Sequence, residues 1–390
     1  MREDKIMVRA SDDEKALLER AAELKGVPTA SWARAELLKA AREIEQAHSS
    51  IASPETQTPR PKLLSLFCGP GGLDEGFKEA GFSTKIAFDI DQECVNTFNR
   101  NHSDGKNIAH KFDLRELTPD AIYKLAGDDF SPVGVVGGPP CQSFSVSNVH
   151  QSDDDPRHSL PGTYARLLKK LNEKRPISFF LFENVPGLLG ERHRHRYEQF
   201  KKLFRAAGFK IYENTLNAKN YGVPQERERV FIVGINKKLH PNAEWKWPET
   251  LEKIHTVRDA IGALAEPVFN EKGLDPSSIP VHPNHWCMVP RSDKFTTKGA
   301  LPEGGSWGRS FRTLKWDEPS WTVAYGNREV HVHPKGHRRL SMYEAMLLQS
   351  FPHHYVLTGN ISAQTRLVSE AVAPRMAWHL AVAIRRCLDI

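Results

Sequence analysis

One cysteine in this chain sits where a thiol is placed for attack rather than for packing. Gly137-Gly138-Pro139-Pro140-Cys141-Gln142-Ser143-Phe144-Ser145 follows a short apolar run at 133–136. A lone cysteine is usually a small buried hydrophobe. Here two prolines stiffen the backbone before Cys141 and lower the entropy of positioning its sulfur. The polar loop around it favours an accessible thiol, which alone can ionise and attack. Glu183 leaves the wholly apolar segment Phe179-Phe180-Leu181-Phe182. Desolvation there raises a carboxyl pKa, so the group holds a proton near neutral pH; the alternative is an ordinary turn or helix cap. Arg227 and Arg229, within Gln225-Glu226-Arg227-Glu228-Arg229, share one face if that segment is extended. Otherwise the run is a solvated charge ladder.

A second feature suits ligand binding. Phe67-Cys68-Gly69-Pro70-Gly71-Gly72 lies at a strand-to-helix turn, where glycines let a ligand approach the helix N-terminus. Asp89 comes 20 residues after Gly69, placed to bind two ribose hydroxyls. The spacing Gly-x-Gly-Gly is not the dinucleotide fingerprint, which argues against NAD. Asp113 either meets an adenine amino group or caps a surface turn.

These residues need a scaffold. The chain has 390 residues, 39% hydrophobic and 26% charged, enough for two or three folding units and too apolar for disorder. No stretch of about 18 apolar residues suggests a membrane span, and Met1–Lys15 lacks the apolar core of a signal peptide. Five dispersed cysteines without a Cys-x-x-Cys pair suggest neither a disulfide framework nor a zinc ribbon, and reduced thiols point to the cytoplasm. A net charge of +6 is compatible with a polyanionic partner. Short apolar runs at 63–67, 85–88, 133–136, 179–182 and 230–233, with helices and loops between, predict a doubly wound α/β sheet. Residues 236–330 break that pattern and carry six of the eight tryptophans, as an inserted irregular lobe; apolar helices return at 341–350 and 371–388.

The first 47 residues read as a separate unit. Lys5–Arg9 alternates with period two, as a short strand does. Ser11 and Glu14 form a capping box for a helix whose apolar face includes Leu17, Leu18, Ala21, Ala22 and Leu24. Gly26 ends it, and a second helix carries Trp32, Ala33, Leu37, Leu38 and Ala41. Over residues 4–46 this order resembles the ribbon-helix-helix DNA-binding dimers. That resemblance implies exposure of Lys5, Met7 and Arg9 to base edges; a hairpin that only mediates self-association is the other reading. Either one implies a homodimer, because one strand and two helices cannot enclose a core. Residues 48–61 read as a Ser/Thr/Pro-rich linker.

From residue 62 onward, the glycine loop, Pro-Pro-Cys-Gln at 139–142, Glu-Asn-Val at 183–185, Gln-x-Arg-x-Arg at 225–229 and a returning helix at about 366–384 together resemble the C5-cytosine DNA methyltransferase family. The resemblance implies a Rossmann-like catalytic domain at 62–235 and 331–390 that uses S-adenosylmethionine and yields S-adenosylhomocysteine. It implies that the Cys141 thiolate adds to carbon 6 of a flipped-out cytosine and that Glu183 donates to ring N3. Arg229 holds the base O2, and Arg227 supports the pocket or the backbone. The cofactor pocket is expected from Phe67, Gly69, Gly71, Gly72, Asp89, Asp113 and Pro139, with Leu160 from Asp155-x-Arg157-x-x-Leu160.

In the same resemblance, 236–330 is the target-recognition lobe, with Arg309 and Arg312 among its candidates for double-stranded DNA, alongside Gln142 and Ser143 of the cysteine loop. The lobe's tryptophans are expected to form its own core. No metal is expected, and His331, His333 and His337 read as loop or DNA-facing residues. The setting implied is a prokaryotic restriction–modification or phage-defence system with a cognate endonuclease, and autoregulation through the N-terminal unit. Two other readings are methylation of tRNA, whose Cys-Phe-Thr hallmark is absent here, and a regulator with a vestigial catalytic fold. Where the family carries Gly-Asn before its last helix, this chain has Ser369-Glu370.

Overall fold

The computed structural model describes residues 12–24, 28–30, 32–33, 36, 59–102, 106–140, 156–307, 311–322 and 331–390. The chain divides into two units, Met1–Pro59 and Arg60–Ile390. In the first, helix α1 spans Asp12–Leu24, where the apolar spacing predicts it. Ala22 is buried, whereas Leu17 and Leu24 are 60% and 88% exposed. Thr29, Ala30, Trp32, Ala33 and Glu36 are also helical. The expected strand with Lys5, Met7 and Arg9 lies outside the described residues, as does most of the linker.

The second unit is built on strands β1 (Lys62–Leu66), β2 (Ser83–Asp89), β3 (Ala109–Lys111), β4 (Gly134–Gly137), β5 (Phe179–Asn184), β6 (Phe209–Asn217), the two-residue β7 (Gln225–Glu226) and β8 (Glu228–Asn236). All but β7 form one sheet in the order β3-β2-β1-β4-β5-β8-β6. Neighbours from β3 to β5 run parallel, and β8 runs antiparallel to both β5 and β6. Strand order reverses between β1 and β4, the switch point at whose carboxyl edge open α/β sheets bind ligands.

Alternation along the strands explains the two covered faces. Leu64, Val135, Phe180 and Phe182 face helices α4 (Pro119–Ala126), α5 (Leu160–Lys174) and α6 (Arg194–Ala206) through Ile122, Leu168 and Phe204. Leu63, Val136, Phe179 and Leu181 face the other way, toward α2 (Gly72–Glu79) and the returning α10 (Pro374–Leu388), through Phe77, Met376 and Leu380. Each fully buried Leu or Phe contributes about 1.5–3 kcal/mol. Helix α10 comes so close to α2 that a Cβ at Gly76 would lie 2.3 Å from the Pro374 carbonyl oxygen. Glycine is therefore required there.

Three elements escape the apolar-run reading. Strand β6 forms a sheet edge, buried only at Phe209 and Leu216 with the exposed polar residues Glu213, Asn214 and Thr215 between, so it contains no long apolar run. Strand β3 has three residues. Helix α9 (Ile361–Glu370) has its own Asn360 cap, and α10 begins only at Pro374, not at 371. Helix α3 (Gln92–His102) follows β2, while α7 (Val257–Ile261) lies within the 236–330 stretch and α8 (Met342–Leu348) follows it.

The tryptophans divide between cores. Trp245 and Trp247, with ring centroids 5.3 Å apart, pack into the main sheet's core rather than into one of the lobe's own. Trp286 joins the cluster of α8 and α9, and Trp316 and Trp321 lie against α7 and α8. Of the histidines, His333 and His337 lie in a loop, as one of the two readings has it, whereas His331 is on a short strand. His331 and His333 are 0% and 3% exposed, stacked on Trp321 and edge-on to Trp316, so neither faces outward to DNA.

Candidate active site

At the carboxyl edge of β1, β2, β4 and β5 lies a cavity of about 370 Å³. Of the expected ligand-binding residues, Phe67, Gly69, Asp89, Asp113, Pro139 and Leu160 line it. Gly72 lines an adjoining slot of about 40 Å³. Gly71 borders neither; it is the left-handed N-cap of α2, φ 95°, against His102 and Tyr355. Phe67 also takes positive φ, 52°, which costs a non-glycine residue about 1–2 kcal/mol and turns its ring into the cavity wall.

Asp89 ends β2 and accepts the Gly69 and Asp91 amides, both at 2.9 Å, so it tethers the glycine loop. Burial raises its carboxyl pKa, opposed by those two hydrogen bonds. Each oxygen keeps a lone pair for a further donor. Asp113 is held by Arg115 through Nε and Nη2, which lowers its pKa and keeps it ionised.

Glu183 stands at the end of β5, 8% exposed, with Oε1 3.0 Å from Arg229 Nε of β8. Burial pushes the carboxyl up from its ordinary value; Arg229 and Arg227 pull it back, and burial prevails. The next residue, Asn184, donates to the Pro139 carbonyl at 3.2 Å and accepts the Val185 amide at 2.9 Å. The loop therefore reaches Glu183 closely: a Cβ at Gly138 would sit 2.6 Å from its Oε2 and 2.7 Å from its backbone oxygen. Pro139 and Pro140 complete this wall. Cys141, Gln142 and Ser143 lie outside the described residues.

Arg227 resolves the choice left open by its spacing. It is 1% exposed, and Nη2 donates to the carbonyls of Ser369 and Ala371 at 2.7 and 2.8 Å, so it supports backbone between α9 and α10. Arg229 lines the cavity instead.

Several lining residues went unread in the sequence: Asp91, Cys94, Arg115 and Arg366, with Glu370 entering only as a departure from the family motif. Arg366 reaches Asp91 at 2.5 Å and Glu370 at 3.5 Å. An acid two residues beyond Asp89 was visible, but no local pattern connects it to an arginine on α9. In the 236–330 stretch Arg312 is half-buried on the short strand β9 (Phe311–Thr313), and Arg309 lies outside the described residues.

The comparisons agree with this geometry. The sequence profile of the C-5 cytosine-specific DNA methylase family matches residues 61–386. Type II methyltransferase M.MthTI of Methanothermobacter thermautotrophicus is 34% identical over 351 residues, 84% of this chain and 98% of that protein. Type II methyltransferase M.NgoPII of Neisseria gonorrhoeae is 31% identical, across 87% of this chain and 99% of its own. Among solved structures, an Escherichia coli prophage-encoded protein described as a DNA modification methyltransferase aligns with TM-score 0.71 at 23% identity, covering 84% of this chain and 99% of its own.

Proposed function

This chain belongs to the C-5 cytosine-specific DNA methylase family, and on that premise we propose that it methylates carbon 5 of cytosine in double-stranded DNA as the modification enzyme of a restriction–modification system. The observation that carries the reading is one cavity wall. It joins the buried Glu183–Arg229 pair to the Gly138-Pro139-Pro140 loop that leads into Cys141.

The cavity fits S-adenosylmethionine. Its volume suits an adenosyl group, Asp89 has acceptor capacity for ribose hydroxyls, and Phe67, Leu114, Pro139 and Leu160 offer apolar surface to a base. When bound, that cofactor supplies the electrophilic methyl group. Carbon 5 of cytosine is too weak a nucleophile to take it unaided. Addition of the Cys141 thiolate to carbon 6 makes carbon 5 enamine-like. Glu183, its pKa raised by burial, holds the proton that neutralises N3 as electrons move onto the ring. Arg229 orients Glu183 and is placed to receive the base O2. Because carbon 6 is covered in stacked DNA, the target base must leave the helix.

Residues 236–330 are assigned to target recognition, with Arg312 among the DNA candidates. The first unit is assigned to dimerisation and operator binding. Its support is the helical pattern and the exposed Leu17 and Leu24, apolar side chains that a second copy would cover. Among the described residues no helix is long and apolar enough to cross a membrane, and the proposed setting is the cytoplasm beside a cognate endonuclease.

The test is bisulfite sequencing of plasmid DNA from a methylation-free host expressing this chain, beside a Cys141→Ala control. Protected cytosines at one recurrent motif, absent in the control, are expected. None protected, from folded protein, would refute the reading.

A further inference from the structure

Gly71 stands against two polar side chains rather than against the cavity. At its φ of 95° a Cβ would lie 2.5 Å from His102 Nε2 and 2.6 Å from the Tyr355 hydroxyl oxygen, so glycine makes room for both groups. His102 ends α3, and Tyr355 lies between α8 and α9, yet Nε2 and the hydroxyl are 3.0 Å apart. The Tyr355 hydroxyl donates to the Pro70 carbonyl. A hydroxyl has one proton to give, so its oxygen must accept from Nε2. Burial lowers the His102 pKa to about 3, so the imidazole is neutral and carries a single N–H. The other nitrogen, Nδ1, is 3.7 Å from Glu75 Oε2, beyond hydrogen-bond reach, which also leaves that hydrogen on Nε2. Phe98, stacked at 4.4 Å, fixes the plane of the ring. The residue before Pro70 is Gly69, whose amide binds Asp89 and which lines the cavity.

We propose that His102 and Tyr355 are positioning residues for cofactor binding: the Nε2–H of His102 orients the Tyr355 hydroxyl, and that hydroxyl holds the Pro70 carbonyl so that Gly69 keeps its place in the cavity wall. This rests on the reading that the cavity takes S-adenosylmethionine. Neither side chain lines the cavity itself. The glycine loop is anchored from two sides, by Asp89 at Gly69 and by this relay at Pro70. Without the imidazole donor the hydroxyl is free to turn away from Pro70; without the hydroxyl the carbonyl loses its donor. Either break releases the same loop, so the two residues act as one unit.

Isothermal titration of the full chain with S-adenosylhomocysteine tests this without turnover. Tyr355→Phe and His102→Phe each keep a ring and remove one link of the relay. Each is expected to weaken binding by about tenfold, with the double variant no weaker than the poorer single one. His102→Gln, whose amide can place an N–H near the position of Nε2, should recover most of the affinity. In the unaltered chain, nitrogen-15 NMR of the His102 ring should find the hydrogen on Nε2, a readout that needs no variant to fold. A role in packing alone would lower the melting temperature and leave the affinity of the folded variants at the parent's level, which would overturn the proposal. Additive losses in the double variant, His102→Gln as weak as His102→Phe, or a hydrogen on Nδ1 would do the same. Failure of the unaltered chain to bind S-adenosylhomocysteine would instead overturn the cofactor reading, and the positioning role with it.

Discussion

Asn184 donates a hydrogen bond to the carbonyl of Pro139, joining the end of the strand that carries Glu183 to the loop that leads into Cys141. The acid and the Pro139 end of this loop are thus not positioned independently. Asn184 is wholly buried, and its nitrogen and oxygen are each engaged, by the Pro139 carbonyl and the Val185 amide.

Replacing Asn184 with alanine leaves the Pro139 carbonyl without this donor, which costs about 1–3 kcal/mol. The effect on catalysis should exceed the effect on binding. Single-turnover methyl transfer is expected to slow by an order of magnitude or more with KM for DNA nearly unchanged; a purely structural role would lower only the unfolding midpoint.

Glu183→Gln keeps the size and an N–H donor but cannot deliver a proton. Removal of a positioned general acid typically costs 10²–10⁴-fold, so kcat should fall by about that much while cofactor affinity holds. Because the folded-state pKa is raised, the protonated fraction declines as pH rises through it, and the parent's rate should decline on the same limb. A variant with an unchanged pH profile would remove Glu183 from the role of proton holder.

Arg227→Met takes away two charge-assisted hydrogen bonds to the carbonyls of Ser369 and Ala371. Each is worth about 1.5–3 kcal/mol when buried. Urea denaturation should show a loss of about 3 kcal/mol. Calorimetry should show weaker adenosyl binding, since those carbonyls flank Glu370.

Asp74 supplies a pH dependence of stability. It is 1% exposed, bonded by the Ser65 and Thr84 hydroxyls, and burial raises its pKa from 3.8 to about 7. The folded state therefore binds the proton more tightly than the unfolded state does. The contribution is complete below pH 3.8 and is lost as pH rises toward 7, on the order of 4 kcal/mol for a shift of about three units. Asp74→Asn should flatten this slope between pH 4 and 7. Urea unfolding at a series of pH values would reveal an unaltered slope if the assignment were wrong.

How much was legible follows from where each signal resides. The motifs around Gly69, Pro139, Glu183 and Arg229 are local in sequence, and each marks a strand end, so their residue types could be read in order. Strand β6 could not, because an edge strand needs no apolar run. Nor could the place of Arg366, since its partner Asp91 meets it only after α9 packs against the loop beyond β2. Trp245 misled for a related reason: composition placed it in the lobe, whereas packing gave it to the main sheet.

Helix α10 bears on synthesis as well as on packing. Its Arg385 donates to the carbonyl of Ala80, a partner 305 positions earlier, and its apolar face covers Phe77 on α2. A nascent chain stopped before α10 would display that side of α2 to solvent, leaving the helix capped by Gly71 of the glycine loop without its packing partner. Ribosome-bound intermediates are therefore expected to be clients for chaperones and to lack donor affinity. Competence to mark DNA would then arrive in one step, when the last helix docks.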